Sequence, residues 1–99
     1  MGRIQGWREV AMAQEETQPD ADTPERVLTY IANALVDDPE AVEIEADARE
    51  GAVDLRLSVG SDDMGRVIGR RGRNAQAIRT VVRAAGARAG VEASVDIVD

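Results

Sequence analysis

Gly69 and Gly72 stand three residues apart between two segments of helical periodicity, and this spacing does most to narrow the folds open to the chain. Ser61, Asp62 and Asp63 make a strong helix start, yet Gly69 arrives after about two turns, so the first helix of the pair is short. From Arg73 or Asn74 a second helix is expected to run to about Ala87, with Ile78, Val81, Val82 and Ala85 as its inner stripe and Gly86 and Gly90 loosening its end. The joint Gly69-Arg70-Arg71-Gly72 must turn tightly, and glycine tolerates the unusual backbone angles that such a turn needs. It also admits a ligand close to the backbone, just where the next helix begins with the positive end of its dipole.

The rest of the chain supplies a sheet for these helices to pack on. Thr23 reads as a helix cap with Pro24 in the first position, and Val27, Leu28, Ile31, Ala32 and Leu35 recur at helical spacing until Asp37-Asp38-Pro39 stops them. Val42, Ile44 and Ala46 then alternate with acids. After a turn near Glu50-Gly51, Val53, Leu55, Leu57 and Val59 alternate with polar residues, giving a hairpin with one apolar face. Val91, Ala93, Val95 and Ile97 make a last strand by the same rule. The expected architecture is α+β in the order α-β-β-α-α-β, a three-stranded sheet with helices packed on one face.

Residues 1–22 carry no sustained period and read as a poorly ordered lead-in, with residues 23–99 as the single domain that this length allows. Met12 is a candidate natural start, because the eleven residues before it differ in composition from the acidic, polar stretch after it. The start "MGRIQG" resembles an acylation site, but Gly6 stands where Ser or Thr belongs. No run approaches the roughly 18 to 20 apolar residues of a membrane span, and a secretory leader is not legible, so a cytoplasmic protein is expected.

Charge is segregated along this chain. The formal net charge is -7, yet residues 64–90 hold seven Arg and no acid, which leaves -14 for the remainder. A local field of that kind points first to phosphate as the partner, against the bland alternative of a solvated helix face. Cys and His are both absent, which removes thiolate nucleophiles, imidazole acid–base chemistry and Cys/His metal sites. The carboxylates fall as scattered singles and surface pairs such as Asp37-Asp38 and Asp62-Asp63, without calcium-loop spacing. No catalytic residue, metal ligand or cofactor is therefore assigned, and the chain is not expected to be an enzyme. Trp7 and Tyr30 are the only aromatic residues, which argues against folds that stack bases on exposed rings.

The segment "VIGRRGRNAQAI" resembles the signature of the KH domain: an apolar pair, G-x-x-G, and an isoleucine or leucine on the next helix. The element order is that of the type II, prokaryotic KH fold, and the resemblance covers Pro24 to Asp99. More narrowly, "DDMGRVIGRRGRNAQAIRTVVRAA" is similar to the small single-domain bacterial RNA-binding proteins of the KhpA type. KH loops often carry Lys in the variable pair. This chain has Arg at both positions and no Lys anywhere, and the Arg fork serves phosphate at least as well.

The resemblance implies a groove that grips the sugar–phosphate backbone of about four single-stranded nucleotides. Gly69, Arg70, Arg71 and Gly72 would form the clamp, Arg66 and Arg73 its charged flanks, and Val67, Ile68 and Ile78 either the groove floor or the core beneath it. Arg79 and Arg83, further along, read as solvated-face residues. The resemblance also implies single-stranded RNA as partner, a role as post-transcriptional regulator or RNA chaperone, homodimers, and pairing with a larger KH-containing protein of the Jag or KhpB type. Two alternatives remain at this stage. One is a protein-interaction module; the other is a helix-turn-helix that reads duplex DNA with Asn74, Gln76, Arg79, Thr80 and Arg83.

Overall fold

The computed structural model describes residues 20–98, so most of the expected lead-in and the choice between Met1 and Met12 lie outside the described residues. The first helix, α1 (Asp22–Leu35), has Ala21 and not Thr23 at its cap position, and the Asp20 side chain just before it serves the first turn. One Asp20 carboxylate oxygen accepts the Asp22 N–H at 2.9 Å and the other accepts the Thr23 hydroxyl at 2.8 Å. Thr23 lies inside the first turn, where its hydroxyl turns back as a donor. Pro24 shares that turn, where a missing N–H costs nothing. The Asp20 N–H in turn bonds to Ala89 O at 3.0 Å and ties the start of α1 to the residue that follows the helix Arg73–Arg88.

After a 3-10 turn at Pro39–Ala41, strands β1 (Glu43–Arg49) and β2 (Ala52–Ser58) pair antiparallel through a turn in which Gly51 takes φ 75°. The pairs Ile44–Leu57, Ala46–Leu55 and Ala48–Val53 share one face of the sheet. Val53, Leu55 and Leu57 are fully buried on that face, but Ala46 is exposed, against the expectation of an apolar face running the length of the hairpin. The helices cover β2 and leave the far half of β1, an edge strand, beyond their reach.

Helices α2 (Ser61–Ile68) and α3 (Arg73–Arg88) then lead into β3 (Glu92–Val98), which pairs parallel to β2. Among the described residues the order is α-β-β-α-α-β and the sheet order β1-β2-β3, with the three α-helices sharing one core on one face of the sheet. Leu28 and Ala32 of α1, Val67 of α2, Ile78 and Val82 of α3, and Ala93 and Val95 of β3 close the core over β2. Each fully buried leucine contributes about 1.5–3 kcal/mol.

The buried stripe of α3 is Ala75, Ile78, Val82 and Gly86. Val81, expected inside, is 48% exposed, because the stripe facing the sheet has no room for the neighbour of Val82. Gly86 does not loosen the helix; it lets α3 lie tight on β3, since a Cβ there would stand 2.8 Å from the Ala93 Cβ. The helix ends at Gly90, whose φ of 81° lets the Val91 N–H return to Gly86 O at 2.8 Å and the Gly90 N–H to Ala87 O at 3.2 Å.

Candidate nucleic-acid interface

The joint between α2 and α3 is built from three consecutive local decisions. The Gly69 N–H closes α2 on Gly65 O at 2.8 Å, and Gly69 then swings to φ 76°, ψ 173°, a region reserved for glycine. Arg70–Gly72 make one 3-10 turn, with the Gly72 N–H on Gly69 O at 3.1 Å. Arg71 is left-handed at φ 56° and Gly72 at φ 72°, after which α3 begins. Both glycines are thus required by backbone angle, but their surroundings differ. A Cβ on Gly69 would fall 2.7 Å from the Asn74 Cγ, whereas one on Gly72 would meet nothing within 4 Å. The Gly72 side is open to close approach.

Beside this turn lies a shallow depression of about 520 Å³, walled by Ile68 and Gly72 at one end and by Gln76 and Arg79 at the other, with Arg71 and Arg73 on its rim. Arg70, Arg71 and Arg73 are exposed. Among the described residues, the only arginine of this stretch in an ion pair is Arg66, which reaches Asp37 at 2.9 Å and Asp63 at 3.4 Å. The expected flank Arg66 is therefore turned to an acidic pair and does not line the depression; its guanidinium holds its proton more tightly than usual, first through the Asp37 hydrogen bond. The other arginines of the joint keep their charge uncompensated, which leaves a positive field at the turn.

Of the three apolar candidates, Val67 and Ile78 are core, at 0% and 3% exposure, and Ile68 alone borders the depression. Sequence reasoning missed three residues. Asp63, read as half of a surface pair, is 3% exposed, and its two carboxylate oxygens accept the Asp37 and Asp38 amides at 3.1 Å each, fastening the exit of α1 to α2. Asn74 donates its amide to Arg66 O at 2.7 Å, bracing the turn from behind. Arg79, read as a solvated residue, is half-buried and donates its Nε–H to Val95 O at 3.3 Å. A signal for Arg79 did exist, since Gly72, Gln76 and Arg79 succeed one another at helical spacing on one face.

The helix-turn-helix alternative loses two of its five readers to the fold itself. Asn74 is committed as above, and the Thr80 hydroxyl donates to Gln76 O at 3.0 Å. Among the described residues, no group of three or more acidic side chains is placed to hold a metal ion, and no helix is long and apolar enough to cross a membrane.

The family model for the KhpA/KhpB KH domain matches residues 25–97, from the first turn of α1 to the last strand. The chain belongs to the KhpA/KhpB KH-domain family. Its element order and mixed three-stranded sheet are those of the type II KH fold. An RNA-binding protein KhpA from Caldanaerobacter subterraneus is 46% identical over 72 residues, which is 73% of this chain and 96% of that protein. The RNA-binding protein KhpA of Clostridium acetobutylicum is 41% identical over 73 residues, 74% of this chain and 97% of the relative. That of Listeria monocytogenes is 40% identical over 75 residues, 76% of this chain and 99% of the relative. In this KH domain the loop on which the resemblance rested is the turn at the rim of the basic depression.

Proposed function

We propose that this KH domain binds single-stranded RNA, with the Gly69–Gly72 turn clamping the sugar–phosphate backbone and the bases lying toward Ile68, Gln76 and Arg79. The observation that carries this reading is the gathering of Arg70, Arg71 and Arg73, none in an ion pair among the described residues, around a turn whose Gly72 side is open. Phosphate approaches there without steric hindrance and meets the positive end of α3 together with full charges. The names of the KhpA relatives support the same ligand. Arg66 contributes through its pairing with Asp37 and Asp63, as a brace of α2, unless phosphate displaces Asp37.

The domain works by binding and not by catalysis, in the cytoplasm, as a post-transcriptional regulator or RNA chaperone. A groove for about four nucleotides gives modest affinity and modest selectivity. Pairing with a second KH domain, either another copy or a larger protein of the Jag or KhpB type, is the second reading. It is favoured by the apolar groove between α1 and α3, lined by Ile31, Leu35, Ala77 and Val81, of which Val81 is 48% exposed. The two readings are compatible.

Fluorescence anisotropy with labelled single-stranded RNA, the matching RNA duplex and duplex DNA tests the first reading. Single strands should bind tightest, with a log–log salt slope of about -2 to -3 for three or four phosphate contacts. A preference for duplex DNA, or a flat salt response, would contradict it.

A further inference from the structure

Arg79 lines the far end of the depression and is tied to the edge strand β3, a link that no part of the clamp accounts for. The Glu92 N–H bonds to Gly51 O at 2.9 Å, so the even-numbered residues of β3 direct their main-chain groups toward β2. Alternation along the strand turns those of Ala93, Val95 and Ile97 to the free edge of the sheet, beside α3. Arg79 crosses from α3 to this edge and donates its Nε–H to Val95 O at 3.3 Å.

That bond has two consequences. It fixes the plane of the guanidinium, which a flexible surface arginine lacks, and it uses one of five N–H donors while leaving four. Among the described residues Arg79 has no carboxylate within ion-pair distance and no second hydrogen bond. A half-buried, pre-oriented fork without a partner, in a depression rimmed by other cations, is short of acceptors. The position within the groove narrows what those acceptors are. Arg79 lies seven residues past Gly72, about 10 Å along α3 at 1.5 Å per residue, well removed from the phosphate held at the turn. Bases attached to a clamped backbone reach that far into the groove; the clamped phosphates do not.

We infer that Arg79 is the specificity-determining residue of the groove, and that it reads a base edge carrying two adjacent acceptors. Guanine offers O6 and N7, and cytosine offers O2 and N3; adenine and uracil set a donor beside each acceptor and cannot take both prongs. This rests on the proposed binding of single-stranded RNA.

The test compares octamers of uridine with octamers in which every second uridine is replaced by cytidine or by guanosine, titrated against the parent and Arg79→Lys. Lysine keeps the charge and loses the fork. The parent should favour the cytidine- or guanosine-bearing strands by about fivefold to a hundredfold. Arg79→Lys should hold all strands within about twofold of one another while keeping the parent's salt slope. No preference in the parent, or a preference that survives Arg79→Lys, overturns the inference while RNA binding itself stands. Equal losses on every strand in Arg79→Ala, with a salt slope shallower by about 0.7, would make Arg79 a phosphate contact and overturn it too. Failure of the parent to bind any strand removes the proposed function along with it. Should Arg79→Lys fold poorly, the guanidinium proton resonances of Arg79 in the parent decide the matter. They should shift with cytidine- or guanosine-bearing strands and stay in place with uridine alone; identical shifts with all strands contradict the inference.

Discussion

The side-chain amide of Asn74 donates to the main-chain oxygen of Arg66 at 2.7 Å, spanning the Gly69–Gly72 turn from α3 back to α2. This bond satisfies a carbonyl that the end of α2 leaves without a helical partner, and it sets the angle between the two helices. Asn74→Ala should lose about 1 kcal/mol, which lowers the melting temperature of a domain this size by about 4–8 °C. RNA affinity should fall several-fold with the phosphate-contacting side chains untouched. Thermal denaturation and anisotropy on the same sample check both.

The two glycines of the turn should differ under substitution. Gly69→Ala places a Cβ 2.7 Å from the Asn74 Cγ at a backbone angle that excludes other residues, and the main chain must move. Gly72→Ala meets open space and carries only the left-handed penalty of about 1–2 kcal/mol. Urea titration should rank Gly69→Ala as the more destabilised of the two.

Arg71 holds φ 56°, ψ 25°, a left-handed conformation that favours glycine, yet the position carries a charge. Function and stability therefore pull apart at this site. Arg71→Gly should raise stability by up to about 1 kcal/mol while weakening RNA binding and flattening the salt slope by about 0.7. Equal affinity in the variant would mean that the strained arginine contributes no contact.

The start of α1 should be acid-sensitive. The Asp20 carboxyl is held below its ordinary value, chiefly by the Thr23 hydroxyl and then by the Asp22 N–H. A depressed folded pKa means that its contribution is present above the unfolded value and lost as pH falls through the folded one. The protection of the first-turn amides of α1, taken relative to their intrinsic exchange rates, should therefore fall as pH drops below about 4, and Asp20→Asn should remove that dependence.

Periodicity and turn residues made the elements legible, since alternation in β2 and β3 and the i, i+3, i+4 stripe of α1 are local signals that packing did not override. What remained hidden depends on contacts between distant segments. Ala46 continues the alternation of β1 but lies past the edge of the helical layer, and no local pattern says where that layer ends. Asp63 looks like any helix-start acid until the exit of α1 brings two amides to it from 25 and 26 residues away. The Gly-Arg-Arg-Gly turn could be read because its glycines and charges are contiguous. Helical spacing puts Arg79 on the face of Gly72 and Gln76, but its bond to Val95 could not be read, because Val95 belongs to another element.

Replacing Arg70 and Arg71 together by Asp tests the account most directly. Both side chains are exposed, Asp tolerates the left-handed angle at position 71, and surface substitutions usually cost within about 0.5 kcal/mol, so the melting temperature should hold. Four units of charge are reversed beside the clamped backbone, each worth of order 1 kcal/mol at water's dielectric. After screening by salt, affinity for single-stranded RNA should drop by about a hundredfold or more. A double variant that keeps its melting temperature and binds single-stranded RNA as the parent does would contradict the clamp and leave the two glycines as a hinge between helices.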